Sequence, residues 1–361
     1  IMSGITIVSA LPLMSAHFHT IPNIEFLSKL LLTIPSIMVA LFAPFVGHFI
    51  DKRGRLKALY LGVVLFIIGG SSGLFLDNFW LILFGRALLG TAVALIMTTS
   101  ITLIGDYFEE EERHKYMALQ GMSVGIGGIL FITLGGFLAE ITWSYPFAIY
   151  LLPILFLPYL LIHMHEPQRH KHPKTSQSRA TLWPIYLSGF LVMVLFYMLP
   201  TQFPYLIINQ LGGTPSDVGL IIATSMFINA LTAMQYARLR KHLSFEMIFV
   251  IVLAVFGCGL LIISHATSIL ELYASTLFMG MGFGLMFVNL NAWLLSKVEV
   301  NNRGKASGML TSAIFLGQFF SPILFQPIIE MIGIQGLFMS IAILVWGVAT
   351  MLWLFLKRRS V

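Results

Sequence analysis

The chain has 361 residues, of which 58% are hydrophobic and 10% are charged. Because soluble domains carry about 25% charged residues, this composition indicates a protein that crosses a membrane many times, and it excludes a separate soluble domain. The net charge of +6 does not indicate nucleic-acid binding, since the basic residues are distributed according to membrane topology. The single cysteine, Cys258, excludes a disulfide framework.

Apolar segments of about 20 residues, long enough to cross a bilayer, recur along the whole chain. The sequence therefore predicts an all-α membrane protein of twelve transmembrane helices. Because the chain begins inside an apolar segment with no basic region before it, we expect a membrane span there and not a cleaved signal peptide. We number the predicted segments span 1 to span 12 in chain order: 1–17, 25–49, 57–76, 79–104, 115–138, 143–163, 181–208, 215–237, 245–264, 268–294, 304–328 and 333–356.

The basic residues follow this topology closely. All but two of the 21 Lys and Arg residues lie in the C-terminal tail or in the loops after spans 2, 4, 6, 8 and 10, and the exceptions are Lys29 and Arg86. The positive-inside rule places these loops and both termini in the cytoplasm. We call the membrane side that carries these loops the basic face, and the other side the opposite face.

The longest polar stretch divides the chain into two halves that resemble each other. It covers residues 165–180 and predicts a cytoplasmic linker between six-helix halves at 1–164 and 181–361. The basic loop after span 2 has a counterpart after span 8, and the turn before span 5 has one before span 11. Two parallel repeats of this kind describe a transporter architecture whose substrate site lies near the membrane midplane, between the halves.

Three motifs carry a resemblance to a known family. Gly47 and Asp51 begin the pattern Gly-x-x-x-Asp-Lys-Arg-Gly-Arg-x-Lys between spans 2 and 3, Arg86 begins Arg-x-x-x-Gly in span 4, and Asn302 begins Asn-Arg-Gly-Lys-Ala-Ser-Gly before span 11. These motifs are similar to those of the major facilitator superfamily, and most similar to its twelve-helix bacterial drug-efflux antiporters. The resemblance implies the major facilitator fold, with two pseudo-symmetric halves of six helices.

The sequence also departs from the antiporter pattern. That pattern ends helix 5 with a Gly-Pro-x-x-Gly-Gly run, whereas residues 131–136 keep only the final glycine pair. The second basic loop, near Arg238, lacks the aspartate of the first. The loss of the Gly-Pro pair leaves other directions of transport as alternatives to export by antiport. Because the second loop has no aspartate, a gating role of this acid can be assigned only to Asp51.

The resemblance implies that the loop between spans 2 and 3 is a conformational gate. It would dock against the start of helix 11 when the cytoplasmic side is closed, and Asp106 at the end of span 4 would pair with Arg55. The alternative is a set of loose surface charges that only anchors the topology. The residues assigned to the gate are Gly47, Asp51, Arg53, Gly54, Arg55, Lys57 and Asp106.

Arg86 and Glu25 are the candidates for the charge or proton-coupling site. Arg86 lies eight positions into span 4, so its depth from the opposite face is about 12 Å. An arginine at that depth indicates a functional site that faces the bundle interior, although a structural arginine bonded to carbonyl groups is the alternative. No acid lies deep in span 1 or span 4, and Glu25 is nearest to Arg86 in expected depth, with an interfacial acid as its alternative.

Polar, aromatic and methionine side chains are the candidates for the substrate cavity. In the family, helices 1, 4, 7 and 10 line this cavity. Each candidate has helix packing as its alternative role. The candidates are Met14, Thr91, Thr98, Tyr197, Gln202, Phe283, Met286 and Asn289, with Asn229 and Gln318 at the sides.

The sequence contains no pattern that indicates catalysis or a cofactor. It has no nucleotide-binding loop and no nucleophile motif. Histidines near His17 and His163 have spacings that a metal could use, but no acid or cysteine completes a site in sequence, so we expect no metal centre.

These observations favour a proton-coupled exporter of amphipathic small molecules or drugs, acting as a monomer in the bacterial inner membrane. Its expected partners are a small-molecule substrate, protons and the lipid bilayer, and no nucleic acid. One alternative is a transporter of one specific metabolite or siderophore, with import as well as export open to it. The other is a transport-inactive membrane sensor or scaffold.

Overall fold

In the computed structural model, the described residues are 2–108, 110–167, 182–299 and 303–359. Every regular element in these ranges is a helix. Most of the predicted linker, and Asn302 of the motif before span 11, lie outside the described residues. The side chain of Asp51 also lies outside the described part, although its backbone belongs to span 2.

The first half contains two broken spans and four long ones. Span 1 consists of Met2–Ile5, a 3-10 turn at Val8–Ala10 and Leu11–His17, where Pro12 occupies the first turn. Proline fits at a helix start because its missing N–H would have no partner there. The remaining spans are Ile24–Arg53, Arg55–Gly70 continued by Ser72–Phe75, Phe79–Tyr107, Glu110–Ile141, and a 3-10 segment Tyr145–Leu151 followed by Pro153–His163.

The second half has the same number of spans, and its last two are joined. One helical stretch, Arg303–Arg359, contains both span 11 and span 12, with a break at Gly333, whose φ is 75°. Glycine adopts this left-handed conformation without the steric cost that a side chain adds. The spans before it are Trp183–Tyr205 with a π-helical end at Leu206–Gln210, Pro215–Arg240, Phe245–His265 and Ile269–Lys297.

Ten helices in the described part of the chain are long and apolar enough to cross a membrane. One of the ten, 54 residues long, holds spans 11 and 12 together, and the broken span 1 is not among them. The twelve predicted segments are thus present as helical structure, and the difference in number comes from one merged and one broken span.

Side-chain caps fix several helix starts at the opposite face. Asn78 accepts hydrogen bonds from the backbone N–H groups of residues 80 and 81 at the start of span 4. Thr214 with Asp217, and Ser268 with Glu271, form capping boxes at the starts of spans 8 and 10. Each cap gives partners to N–H groups that a helix leaves unpaired in its first turn.

The two halves are in close contact near the opposite face. A methyl group on Gly136 of span 5 would lie 2.8 Å from the carbonyl oxygen of Pro215, and one on Gly219 of span 8 would lie 2.8 Å from that of Ile132. The glycines of span 5 (Gly125, Gly128, Gly135 and Gly136) predict close helix packing. The structure confirms this for Gly135, against Thr6, and for Gly136, but not for Gly125. Glycine permits backbones to approach this closely because it has no side chain.

Toward the basic face, the same helices separate. Methyl groups on Gly121 and Gly125 of span 5 or on Gly308 of span 11 would meet no neighbouring atom within 4 Å. Most described side chains of span 5 from residue 115 to 126 are exposed on all sides of the helix. One side of that helix faces the bundle axis, so the described conformation is closed at the opposite face and open at the basic face.

Candidate functional site

A buried ion pair lies at the basic face of the first half. Arg55, the first residue of span 3, donates from Nε to Oδ2 of Asp106 near the end of span 4, at 2.9 Å. The two side chains are 6% and 2% exposed. The contact expected from the sequence is therefore present, and it joins spans 3 and 4 within one half.

Glu166 completes this arrangement, and the sequence analysis did not select it for the gate. Its Oε1 accepts from the backbone N–H of Arg55 at 2.6 Å, and its Oε2 from that of Leu56 at 2.9 Å. A carboxylate at a helix start pairs with free N–H groups and with the positive end of the helix dipole. Its only signal in the sequence is its position as the first acid after span 6. We call Arg55, Asp106 and Glu166 the basic-face cluster.

The two glycines of the loop motif differ in role, which corrects an expectation. Glycine at both ends of the motif predicts a tight turn at each, but Gly47 lies within the span 2 helix, and a methyl group there would meet nothing within 4 Å. Gly54 alone forms the turn, with φ of 96°, and a methyl group there would lie 3.0 Å from Oε1 of Glu166. Arg53 and Lys57 are exposed at the surface.

The end of span 6 is held against spans 3 and 4 by further hydrogen bonds. The Tyr107 hydroxyl donates to the carbonyl oxygen of His165, and the Tyr60 hydroxyl donates to that of Leu160 at 3.3 Å. His163 stacks on Tyr159 with ring centroids 4.1 Å apart. Among the described residues, no group of three or more His, Cys, Asp or Glu side chains is arranged to hold a metal ion.

Arg86 is fully buried in the first half. Its Nε donates to the carbonyl oxygen of Leu31 in span 2 at 2.9 Å, and its Nη1 donates to the Tyr150 hydroxyl in span 6 at 3.0 Å. These contacts join spans 2, 4 and 6. These contacts are compatible with a structural arginine and with a functional one, because the Leu31 carbonyl and the Tyr150 hydroxyl are both neutral groups.

Glu25 lies at the opposite face, on the helical turn of span 2 that precedes Lys29, and it is close to the Lys29 side chain. It is exposed, and its backbone carbonyl accepts from the Tyr205 hydroxyl at 3.3 Å. Arg86 donates to Leu31 and Tyr150, and the exposed position of Glu25 matches its alternative role as an interfacial acid.

Lys29, which the sequence analysis noted only as an exception to the charge rule, joins the two halves. Its side chain is buried, and Nζ donates to Oε1 of Gln326 in span 11 at 3.0 Å. Nζ also lies 4.8 Å from the centre of the Tyr205 ring in span 7. Nε2 of Gln326 donates in turn to Oε1 of Glu330 at 3.1 Å. We call Lys29, Tyr205, Gln326 and Glu330 the cross-half cluster.

Three predicted cavity residues lie where the halves meet. Ser36, two helical turns after Lys29, donates to Oε1 of Gln318 in span 11 at 2.7 Å. A methyl group on Gly4 would lie 2.7 Å from the hydroxyl of Tyr197, which is also close to the Ser36 side chain. Gln202 in span 7 is fully buried, and its Oε1 has no hydrogen-bond partner among the described residues.

The predicted cavity residues of spans 1 and 4 have different environments. Met14 is fully buried in the hydrophobic core. Thr91 and Thr98 are half-buried, and the Thr91 hydroxyl donates to the carbonyl oxygen of Ala87 in its own helix at 3.3 Å. The two threonines are therefore less buried than Met14, which packs against its neighbours.

The predicted residues of span 10 pack inside the second half, which corrects their assignment for this conformation. Asn289 accepts from the Tyr236 hydroxyl at 3.0 Å and donates to the carbonyl oxygen of Phe245 at 2.9 Å. Phe283 and Met286 are 3% exposed, and Phe283 packs edge-on against Phe196 at 4.3 Å. Such aromatic and amide contacts stabilise helix packing and leave these side chains no surface for a solute.

Asn229 is half-buried on span 8, and its carbonyl group packs against span 10. A methyl group on Gly284 would overlap the backbone carbonyl oxygen of Asn229. The close approach explains why the sequence has glycine at position 284, and the contact again lies within the second half.

A crevice opens at the opposite face above the cross-half cluster. Its volume is about 630 Å³, and it lies between the start of span 2 and the end of span 11. The polar groups that line it include Glu25, Gln326 and Glu330, together with His19 and Asn23. Water can therefore approach the cluster from this side.

The comparisons with known proteins agree with this architecture. The family model described as Major Facilitator Superfamily matches residues 1–185 and 185–361. A crystal structure of a D-xylose-proton symporter superimposes with a TM-score of 0.76, at 16% sequence identity, over 95% of this chain and 93% of that chain. This likeness supports the fold.

Curated relatives extend the match along most of the chain. Multidrug resistance protein 2 of Bacillus subtilis (strain 168) is 26% identical over 333 residues, which cover 86% of this chain and 82% of that protein. Tetracycline resistance protein, class E, of Escherichia coli is 24% identical, and quinolone resistance protein NorA of Staphylococcus aureus (strain MRSA252) is 21% identical, each over 88% of this chain and at least 82% of the relative. The chain is therefore a transporter and not an enzyme, and it belongs to the Major Facilitator Superfamily.

Proposed function

We propose that the protein exports amphipathic small molecules from the bacterial cytoplasm by proton-coupled alternating access. The observation that carries this proposal is the position of the contacts between the halves. Lys29 bonds to Gln326, and Ser36 bonds to Gln318, both in the part of the bundle near the opposite face. The halves separate toward the basic face, which the distribution of Lys and Arg assigns to the cytoplasm.

A solute from the cytoplasm would enter the open space and reach the polar groups where the halves meet. Ser36 and its hydrogen-bond partner Gln318 would lie with Tyr197 at the closed end of that space, and Thr98 would lie along its wall. Phenylalanine and methionine make up 30 and 19 of the residues. Flexible apolar side chains around a few polar groups suit solutes of varied shape. Rocking of the halves would then expose the solute to the opposite face.

The relatives support the direction and the solute class of the proposal. Their names state multidrug, tetracycline or quinolone resistance, and the alignments cover more than four-fifths of this chain. Resistance requires that a compound leave the cytoplasm, so we expect export here as well. Secondary transport needs a gate that closes one side at a time, and the motif from Gly47 to Lys57 would supply it at the basic face.

Transport of ethidium, a permanently cationic dye, by reconstituted protein tests this function. Proteoliposomes with an imposed proton gradient should move ethidium against its own gradient, and collapse of the proton gradient should stop net movement. Asp51→Asn should reduce this flux at least ten-fold while insertion and folding stay intact, since closure at the basic face depends on this acid. The matched control is Asp77→Asn, an exposed acid at the opposite face, which should keep wild-type flux.

A second function, transport of one defined solute, has its own supporting observation. Among the described residues, the buried acid Asp106 is paired with Arg55 inside the first half, and the charged side chain that is buried between the halves is the cation Lys29. Transporters that accept many cations usually offer a buried acid, so a solute with a negative group is the competing class. If ethidium is not moved but a labelled carboxylate from a metabolite panel is, the exporter of amphipathic cations is replaced by this second function.

A further inference from the structure

We propose that Lys29 is the proton-binding group of the transport cycle and exchanges its proton as the two halves separate and close over it. This inference rests on the proposed coupling to protons. It adds the residue that carries the coupling, which neither the family model nor the relatives' names supply.

The other buried ionisable groups are unsuited to this role. Arginine keeps its charge at all pH values that proteins experience, so Arg86 cannot exchange a proton. Arg55 has the same limitation, and its partner Asp106 is held in an ion pair at the basic face, inside one half. An alternating proton site has to lie where the halves part, and this pair does not.

The carboxylates at the opposite face are also unsuited, because they stay in contact with water. Glu25, Glu140, Glu271 and Glu330 are all exposed. Glu140 accepts a hydrogen bond from Ser216, and Glu271 belongs to the capping box of span 10. A group that remains exposed to one side cannot carry a proton between two sides. Tyr197 and Tyr205 are buried there as well, but a tyrosine hydroxyl ionises only near pH ~10. Among the described residues between the halves, Lys29 is therefore the buried group suited to proton exchange.

The surroundings of Lys29 are compatible with a change of charge. Among the described residues, Nζ has one hydrogen-bond acceptor, Oε1 of Gln326, and no carboxylate within 4 Å. An ammonium has three N–H donors that need acceptors, whereas a neutral amine needs fewer hydrogen-bond partners. The Tyr205 ring, 4.8 Å away, adds a favourable contact for a cation. A buried ammonium without an ion-pair partner costs free energy, which either a proton loss or exposure to water relieves.

The position of the partners makes this site sensitive to the conformation. Lys29 lies on span 2 of the first half, whereas Gln326 and Tyr205 lie on spans 11 and 7 of the second. Separation of the halves at the opposite face would break both contacts and expose Nζ to outside water. Closure would bury it again, as in the described conformation, in which Lys29 is 1% exposed.

The crevice supplies a route for protons from the opposite face. The charged and titratable groups near Lys29 are Glu25 on its own helix, Tyr205 on span 7, Glu330 on span 11, and His19 at the crevice wall. Two carboxylates attract cations, including hydronium, to the crevice. Gln326 connects one of them to Nζ, because it accepts from Lys29 and donates to Glu330.

The proposed step conserves atoms and charge. With the opposite face open, hydronium gives a proton to the neutral amine of Lys29, which yields an ammonium and water. With the basic face open, a cationic solute at the level of Ser36 and Gln318 lies two helical turns, about 10 Å, from Nζ. Its charge repels the ammonium, which passes its proton to water in the space open to the basic face and becomes the neutral amine. One proton therefore enters for each cation exported, and the two never share a binding site.

Two substitutions separate loss of titration from loss of structure. Lys29→Arg keeps the charge but cannot release a proton, and Lys29→Met keeps the length but has no charge. In proteoliposomes, both variants should lose at least ten-fold of proton-driven ethidium transport, while ethidium–ethidium exchange without a proton gradient stays within two-fold of wild type. The matched control is Lys297→Met, an exposed lysine at the basic face, which should retain both activities. Proton-driven transport by Lys29→Arg would overturn the proposal.

A measurement that needs no solute keeps the inference independent of the proposed function. Spin labels at Thr20→Cys and Met331→Cys, both exposed at the opposite face, in a Cys258→Ser background, report the separation of the halves. The label distance should lengthen on acidification, since a buried ammonium favours opening. Both Lys29→Arg and Lys29→Met should lose this pH dependence, and the mean distance should be longer in Lys29→Arg than in Lys29→Met.

The two measurements distinguish failure of the proposed function from failure of the inference. If wild-type protein moves no ethidium but its label distance depends on pH and loses this dependence in both Lys29 variants, the solute class is wrong and Lys29 remains the proton site. If the distance still depends on pH in the Lys29 variants, or never depends on pH in wild-type protein, Lys29 is not the proton site, whatever the solute.

Discussion

The basic-face cluster and the cross-half cluster both contain a buried cation, and they are built in opposite ways. Arg55 has an ionised partner, Asp106, at 2.9 Å, and both belong to the first half. Lys29 has a neutral partner, Gln326, at 3.0 Å, and the two residues belong to different halves. The first pair can persist through the whole transport cycle, since nothing in a rocking motion has to separate it.

The comparison shows how this transporter can combine rigid halves with a weak contact between them. A buried ion pair is expensive to break because each charge is left without a partner in a medium of low dielectric constant. A hydrogen bond between an ammonium and an amide is easier to exchange for water. Strong contacts inside one half and weaker ones between halves favour motion of each half as a unit.

The largest expected effect comes from breaking the buried ion pair. Asp106→Ala should lower the free energy of unfolding by about 3–5 kcal/mol, because Arg55 remains buried and unpaired. Titration of SDS into detergent micelles, followed by tryptophan fluorescence, measures this loss. Asp77→Ala is the matched control: its side chain is 75% exposed beside His17, and the expected change is about 0–1 kcal/mol. Equal stability of the two variants would show that the basic-face cluster is not a rigid unit.

A smaller effect is expected from Glu166, which holds the start of span 3. Glu166→Ala leaves the N–H groups of Arg55 and Leu56 without their carboxylate, and we expect a loss of about 1–3 kcal/mol. Glu246→Ala removes an exposed acid from the first turn of span 9 and should cost at most about 1 kcal/mol. The same SDS titration compares the two, and a larger loss in Glu246→Ala would contradict the assigned role of Glu166.

The two motif glycines should respond to alanine with opposite signs. Gly54→Ala should destabilise by about 1–2 kcal/mol, because its φ of 96° is unfavourable for a side chain and its methyl group would crowd Glu166. Gly47→Ala should stabilise by about 0.5–1 kcal/mol, since this position is helical and has open surroundings. Thermal unfolding in detergent gives both signs. Destabilisation at position 47 would mean that this glycine is needed for close packing after all.

The smallest effect is expected between the halves. Ser36→Ala removes the hydrogen bond to Gln318, which is worth about 0.5–1.5 kcal/mol, so the ratio of opposite-face-open to closed molecules should rise about two-fold to ten-fold. The distance between labels at residues 20 and 331 reports this ratio. Ser188→Ala is the control, because that hydroxyl bonds only to Pro184 in its own helix. A shift in the control but not in Ser36→Ala would remove the Ser36 bond from the cross-half contacts.

Sequence reasoning was most successful for features that depend on neighbouring residues. The spans were found because their length and apolar character are local, and the basic loops gave their order across the membrane. The pair of Arg55 and Asp106 was expected because both residues lie at adjacent span ends. Glu166 was not, since its role depends on where the chain leads after span 6.

The cavity residues show where this reasoning reaches its limit. Tyr197 and Gln318 lie where the halves meet, whereas Asn289 and Phe283 point into the second half and pack there. All four looked alike in the sequence, because a polar or aromatic residue at a family-typical position carries no record of the rotation of its helix. Helix rotation is set by packing against several neighbours at once.

The sequence alone determined the membrane-spanning character, the division of the charges between two faces and the motifs of the superfamily. These follow from the cost of placing charges and unpaired backbone groups in hydrocarbon, which acts on each segment separately. Only the tertiary structure decided that Lys29 meets Gln326, 297 positions away in the chain, and that Glu166 holds the start of span 3. Such contacts arise from the packing of whole halves, and no local pattern specifies them.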